Sequence, residues 1–189
     1  MKKKLKVTFF KSLRFRILLI LVIIGIVPSF IVKSAIVNSY ENRAVSLKRV
    51  NLKNQCDILG NQLMKENYLE HPESEVINSE LSMLSAIYNG RILIINKDAK
   101  IIKDTYDIDV GKYSLSQEVI QCLNGQIASN YDDKNAYIEL TSPLKGPDPD
   151  QIEGVMLVSI STSEIEDSIE LLERRGNLIL CIICILVSV

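Results

Sequence analysis

The chain has 189 residues, 22 Lys and Arg against 23 Asp and Glu, four cysteines and a single histidine, a size that suits one domain with flanking sequence. One histidine excludes a multi-histidine metal or catalytic site, and no phosphate-binding glycine loop, HExxH or GxSxG occurs. The formal net charge of −1 says little about partners, because the charges are sorted along the chain and cancel only in the sum.

Residues 1–16, MKKKLKVTFFKSLRFR, carry seven positive charges and no acid. An apolar run follows from Ile17 to Val32 and resumes after Lys33 as far as Val37. A membrane-spanning helix needs about 20 residues, so a span over 17–37 is expected, with Lys33 snorkelling to the interface. Gly25 and Pro28 do not forbid it, since helix breakers are tolerated inside membranes. The basic leader places the N-terminus in the cytoplasm and the following sequence outside. The same charges are explained by topology and anionic lipid, so the bilayer rather than nucleic acid is the expected partner. A cleaved signal peptide is the rival reading. It fits the leader and the apolar core, but cleavage before Ala35 would put Lys33 at the −3 position, where a small residue belongs.

The middle segment, 38–175, is acidic and reads as an extracytoplasmic domain. Residues 33–66 form a long helix, in which Val45, Leu52, Cys56, Leu59 and Leu63 share one stripe. Ile36, Tyr40, Ala44 and Leu47 make a second, offset stripe, which either meets a copy of the same helix or widens a single core face. His71-Pro72 closes this region. Glu75 to Tyr88 is a shorter helix with Val76, Leu81, Leu84 and Ile87 mostly on one side.

After Asn89-Gly90 the period changes. Arg91–Asn96 and Ile101–Lys103 are strands joined by the tight turn Lys97-Asp98-Ala99-Lys100. Residues 104–113 form an aspartate-rich loop. A short helix over 115–123 stops at Asn124-Gly125. Three more strands are expected at 126–131, 136–142 and 154–160, the last two joined by a polar turn over 143–150 in which Pro147 and Pro149 prevent ladder pairing. Ser163-Glu164-Ile165-Glu166 has capping-box form and starts an exit helix through Ile165, Ile169 and Leu172. The expected fold class is therefore α+β: an antiparallel sheet of about five strands, entered by one helix from the membrane and left by another. Residues 176–189 include LILCIICILVSV, expected to be the start of a second, incomplete span.

The cysteines fall into two pairs. Cys181 and Cys184 have CxxC spacing but act as small hydrophobes in the apolar run. Cys56 and Cys122 both lie outside the cytoplasm, where a disulfide would persist, although their helical placement also suits two separate core thiols.

The order of elements, with the strand-turn-strand IINKDAKIIKDT and the helix end VIQCLNGQ, resembles the extracytoplasmic PAS-like (Cache or PDC) sensor domains of bacterial membrane histidine kinases, those of the phosphate-response and cell-wall-response type above all. Many such domains have glycine where this chain has Ala99. The resemblance implies a signal-input role and a homodimer. It also implies a kinase module beyond Val189, with ATP and Mg bound there and a cognate response regulator as its partner. No catalytic residue or cofactor is expected in residues 1–189. The same input domain also serves chemoreceptors and cyclic-dinucleotide enzymes, and a non-signalling envelope protein is the third reading. A ligand pocket would lie between the sheet and the loops and short helix that cover it. Arg91, Tyr106, Lys112 and Tyr137 flank that place and are the candidates for holding an anionic small molecule. Asp104, Asp107 and Asp109 either bind a divalent cation or keep the loop in water.

Overall fold

The structure, a computed structural model, describes residues 13–148 and 151–188. The leader up to residue 12, and with it most of the basic cluster, lies outside the described residues, as do Pro149 and Asp150 in the last turn. The chain forms two compact units, Ala44–Glu164 and the pair of flanking segments Met1–Arg43 and Ile165–Val189.

The elements are α1 (Leu13–Lys65), α2 (Glu75–Ile87), β1 (Gly90–Asn96), β2 (Ile101–Asp104), α3 (Gln117–Leu123), β3 (Ser129–Asp132), β4 (Tyr137–Lys145), β5 (Ile152–Ser161) and α4 (Ser163–Ser188). The strands form one antiparallel sheet in the order β2-β1-β5-β4-β3, so the last strand in the chain is the central one. This is the α+β, five-stranded architecture that the alternation of periods predicts.

In the unit Ala44–Glu164, α1 buries Val45, Leu52, Cys56, Leu59 and Leu63, the stripe that helical spacing selects. Of the offset stripe, which runs across both units, Ile36, Tyr40 and Leu47 are exposed and Ala44 is half-buried. At Gly60 the helix lies so near the sheet that a Cβ there would sit 3.1 Å from the side chain of Leu144. Burying each aliphatic side chain of this core contributes roughly 1.5–3 kcal/mol. Helix α2 starts at Ser74, whose hydroxyl accepts from the Ile77 N–H. Its buried face is Ile77, Leu81, Leu84 and Ser85, while Val76 and Ile87 are exposed, which corrects the face expected for this helix. The apolar positions allow two helical phases, and packing against β1 selects the one carried by Ile77.

Alternation along β1, β5 and β4 sends side chains to opposite faces. Ile92, Ile94, Met156, Val158, Ile138 and Leu144 face the side on which α1 packs. Leu93, Ile95, Val155 and Leu157 face α3, where Val119 and Cys122 complete a buried apolar cluster with Ile101. Cys56 and Cys122 thus lie on opposite sides of the sheet, and both are free thiols. Burial pushes the Cys56 thiol up to about 12, with Asp57 adding to the shift.

Strand β4 continues through Pro143 to Lys145, beyond its expected end. The Thr141 N–H donates toward the β3 side, to Ala128. Pro143 has the same phase two residues on, and β3 ends its pairing at Leu140, so the missing N–H of the proline faces an open edge. Helix α3 ends in a Schellman motif: the Gly125 N–H donates to Cys122 O and the Gln126 N–H to Gln121 O, with Gly125 at φ 85°. Helix α4 starts at Ser163 itself, and the hydroxyl that receives the Ser163 N–H is that of Ser161 rather than one within a box closed by Glu166.

In the other unit, α1 passes through Pro28 without a break. Lys33 Nζ donates to Asn177 Oδ1 at 2.7 Å, and Gly176 admits the stem of Lys33 against the α4 backbone. Among the described residues, α1 is the one helix long and apolar enough to cross a membrane. The apolar end of α4, Leu178–Ser188, is helical, and Leu178, Ile179, Ile182 and Ile185 are exposed, but no second span is seen there.

Candidate functional site

The α3-facing side of the sheet has an apolar half and a polar half. The apolar half is filled by Val119, Cys122 and the strand residues beneath them. The polar half follows from register: Arg91 lies opposite Ser159, and Ser159 opposite Glu139. Tyr137, two residues before Glu139, shares the face with Arg91. Arg91 and Tyr137 are therefore brought to one side of the sheet, separated by the width of β5.

Arg91 is engaged by the chain itself. Its Nε donates to Asp104 Oδ1 at 2.9 Å and its Nη2 to Asp104 Oδ2 and Asp109 Oδ2, both at 2.6 Å. Asp104 is fully buried and also accepts from the N–H groups of Tyr106, Ile108 and Asp109 at 2.9–3.0 Å. Burial pushes the Asp104 carboxyl up, but Arg91 and these backbone donors outweigh it and hold the group well below the usual carboxylate range. The same contacts, Asp104 first, raise the Arg91 guanidinium. Asp109 is lowered by Lys112, whose Nζ lies 2.7 Å away, and then by Arg91.

The remaining sequence candidates stand around this knot. Lys112 is paired with Asp109, Tyr106 is exposed, and Asp107, at φ 54°, accepts from Lys103 Nζ at 3.1 Å. Each of Asp104, Asp107 and Asp109 thus faces a cation of the chain. No group of three or more His, Cys, Asp or Glu side chains suited to a metal ion occurs among the described residues. An anion approaching Arg91 and Lys112 meets cations already compensated by carboxylates. The loop 104–113 is tied to the sheet by this network, which braces the structure.

Glu139 and Ser159 belong to the same polar half, and the sequence reading did not single them out. Ser159 Oγ donates to Glu139 Oε2 at 3.1 Å. Burial raises the Glu139 carboxyl above its ordinary value; the serine opposes the shift and Glu118 adds to it. The signal was present in Tyr137-Ile-Glu-Leu-Thr141, where polar and apolar residues alternate and place Glu139 beside Tyr137.

No family model matches the chain, and no curated protein matches it. Solved structures do. The sensor domain of the histidine kinase DctB from V. cholerae is 15% identical, with a TM-score of 0.51 over 71% of this chain and 59% of that one. An extracellular ligand binding receptor from Desulfohalobium retbaense is also 15% identical, with a TM-score of 0.52 over 70% of this chain and 25% of that one. The chain therefore spans less than two thirds of the length of either. At this identity the likeness is one of fold: the domain has the PAS/Cache-like architecture of extracytoplasmic sensor domains.

Proposed function

We propose that this chain is the membrane-anchored input region of a two-component sensor histidine kinase, of the phosphate-response or cell-wall-response type. Residues 1–16 form the cytoplasmic leader, 17–37 the first transmembrane helix, 38–175 the extracytoplasmic sensor domain and 176–189 the start of a second span. A kinase module beyond Val189, using ATP and Mg, passes phosphate to a response regulator. The chain acts as a homodimer, for which the open stripe Ile36, Tyr40 and Leu47 offers an apolar seam. The mechanism is a population shift between two arrangements of the spans, driven by a stimulus with different affinity for each.

The observation that carries the reading is the connectivity of the sensor fold. Its first helix, α1, is continuous with the apolar segment, and its central strand, β5, leads directly into α4, which turns apolar at Leu178. An input domain of a chemoreceptor or cyclic-dinucleotide enzyme would show the same connectivity and differ only in its output module. An anionic stimulus at Arg91, Tyr106, Lys112 and Tyr137 is a second reading of the site. The shared face of Arg91 and Tyr137 favours it, and it requires the anion to displace Asp109 from Arg91.

The test joins topology to output. Alkaline phosphatase fused after Tyr88 should be active outside the cytoplasm, and a fusion after Arg16 inactive. Residues 1–189 joined in helical register to a foreign kinase transmitter should make its autophosphorylation respond to stimulus. A cytoplasmic Tyr88 junction would sink the proposal.

A further inference from the structure

We infer that a groove between α1 and the open end of β4 binds a small dicarboxylate that also carries an amine, of which the acidic amino acids are the simplest members. The inference rests on the input-domain reading above and gives it a site on the sheet face opposite α3. The groove holds about 310 Å³, the lower end of the range that small-molecule sites occupy. Lys53, Asp57 and Asn61 stand on α1 at four-residue spacing and share one side of the helix. Ser142 and Lys145 come from β4, and Ile127 lines the end nearest β3.

The fold builds this groove for identifiable reasons. Strand β3 ends its pairing at Leu140, which leaves β4 beyond Thr141 without a strand neighbour on that side. Gly60 lets α1 approach Leu144, so the floor is set by close backbone-to-sheet packing. Buried Ser142 donates from Oγ to Asp57 Oδ1 at 3.2 Å and fixes the carboxylate within the groove.

Charge then selects the ligand. Elsewhere in the sensor unit Arg91, Lys103 and Lys112 are each held by an aspartate. Among the described residues, neither Lys53 nor Lys145 has a carboxylate within ion-pair distance. Two cations and one anchored carboxylate complement two carboxylates and one ammonium, so each charged group of the ligand gains a charge-assisted bond. Because the groove is shared by α1 and β4, a bound ligand favours the state in which α1 is seated on the sheet, which gives it the differential affinity that signalling needs.

The experiment is calorimetric titration of the full chain in lipid nanodiscs with L-aspartate and L-glutamate, using succinate and L-glutamine as comparators. Saturable binding of an acidic amino acid is expected, weakened about 10-fold or more in Lys53→Met and in Lys145→Met. Asp57→Asn should lose the preference for the amino acid over succinate, and Lys134→Met, outside the groove, should bind as the parent does. Thermal melts of each variant establish that it is folded. Absence of saturable heat with either amino acid up to about 10 mM, or unchanged affinity in the Lys53→Met/Lys145→Met double variant, overturns the assignment. The phosphatase fusions do not involve the groove. An extracytoplasmic Tyr88 with no binding would remove the groove and keep the sensor reading, whereas a cytoplasmic Tyr88 with intact binding would do the reverse.

Discussion

Replacing Arg91 by methionine keeps most of the side-chain volume and removes the charge that faces Asp104. The aspartate is fully buried and loses two bonds, at 2.9 and 2.6 Å, while keeping three backbone donors. Breaking a buried pair by deleting one partner costs about 3–5 kcal/mol. The guanidinium side is 27% exposed, which screens part of the interaction, so the lower end applies and about 3 kcal/mol is expected. At about 3 °C per kcal/mol for a domain of this size, the melt should fall by roughly 10 °C. The pH dependence has a definite sign. Asp104 titrates lower in the fold than in the unfolded chain, so its contribution is fully present above the unfolded value of about 3.9 and is lost as pH falls through the folded one. The gap between parent and variant should therefore be widest near neutral pH and shrink below about pH 4. Near-UV circular dichroism melts of the full chain in detergent, run from about pH 3 to pH 7, measure it. A loss under about 0.5 kcal/mol at neutral pH, or a gap that ignores pH, would refute the view of Arg91 and Asp104 as a brace.

Three further substitutions test local features. Ala99 sits at φ 61° in the β1–β2 turn, so Ala99→Gly relieves about 1–2 kcal/mol of left-handed strain against about 0.4–1 kcal/mol of added chain entropy, and denaturant titration should show a net gain near 0.5 kcal/mol. Thr162 is fully buried between β5 and α4 and its hydroxyl has no hydrogen-bond partner, so Thr162→Val should stabilise by about 1 kcal/mol in the same assay. Burial raises the Glu139 carboxyl, so its ionisation opposes folding as pH climbs through the unfolded value toward the folded one. Glu139→Gln should thus raise the melting temperature near neutral pH and leave it unchanged below about pH 4, and a stabilisation that persists in acid would contradict this account.

The elements that local periodicity controls were legible in the sequence. The buried stripe of α1 follows from spacing, and the Asn124-Gly125 stop of α3 follows from the chemistry of a left-handed C-terminal residue. The misread features depend on distant partners. The phase of α2 is settled between Val76 and Ile77 by β1, and the passage of β4 through Pro143 is possible only because β3 ends early. At the candidate site, Arg91 and the three aspartates were found as residue types but read as separate devices for an anion and a metal. Counting back from the Asn96–Lys100 turn would have set Arg91 beside the start of the acidic loop, since Leu93 pairs with Asp104. The hairpin brings these opposite charges together, and Arg91 pairs with Asp104 and Asp109. The groove on α1 could not be anticipated, because Lys53, Asp57 and Asn61 acquire their β4 partners only through the tertiary fold.

The two connections of the unit Ala44–Glu164 are held by different kinds of force. Strand β5 is bonded along both edges, to β1 and to β4, and the Thr162 N–H after it donates to Ala136 O at 2.8 Å before α4 begins. Shifting that connection would break backbone ladders, whose buried groups must remain paired. Helix α1 meets the sheet through side chains: the apolar stripe around Cys56, the contact at Gly60, and the bond from Ser142 to Asp57. Packed side chains have alternative arrangements within a few kcal/mol, and a backbone ladder in register does not. Of the two helices joined to this sheet, α1 is thus the one whose seating costs less to change, while the connection to α4 is fixed by the ladders of β5.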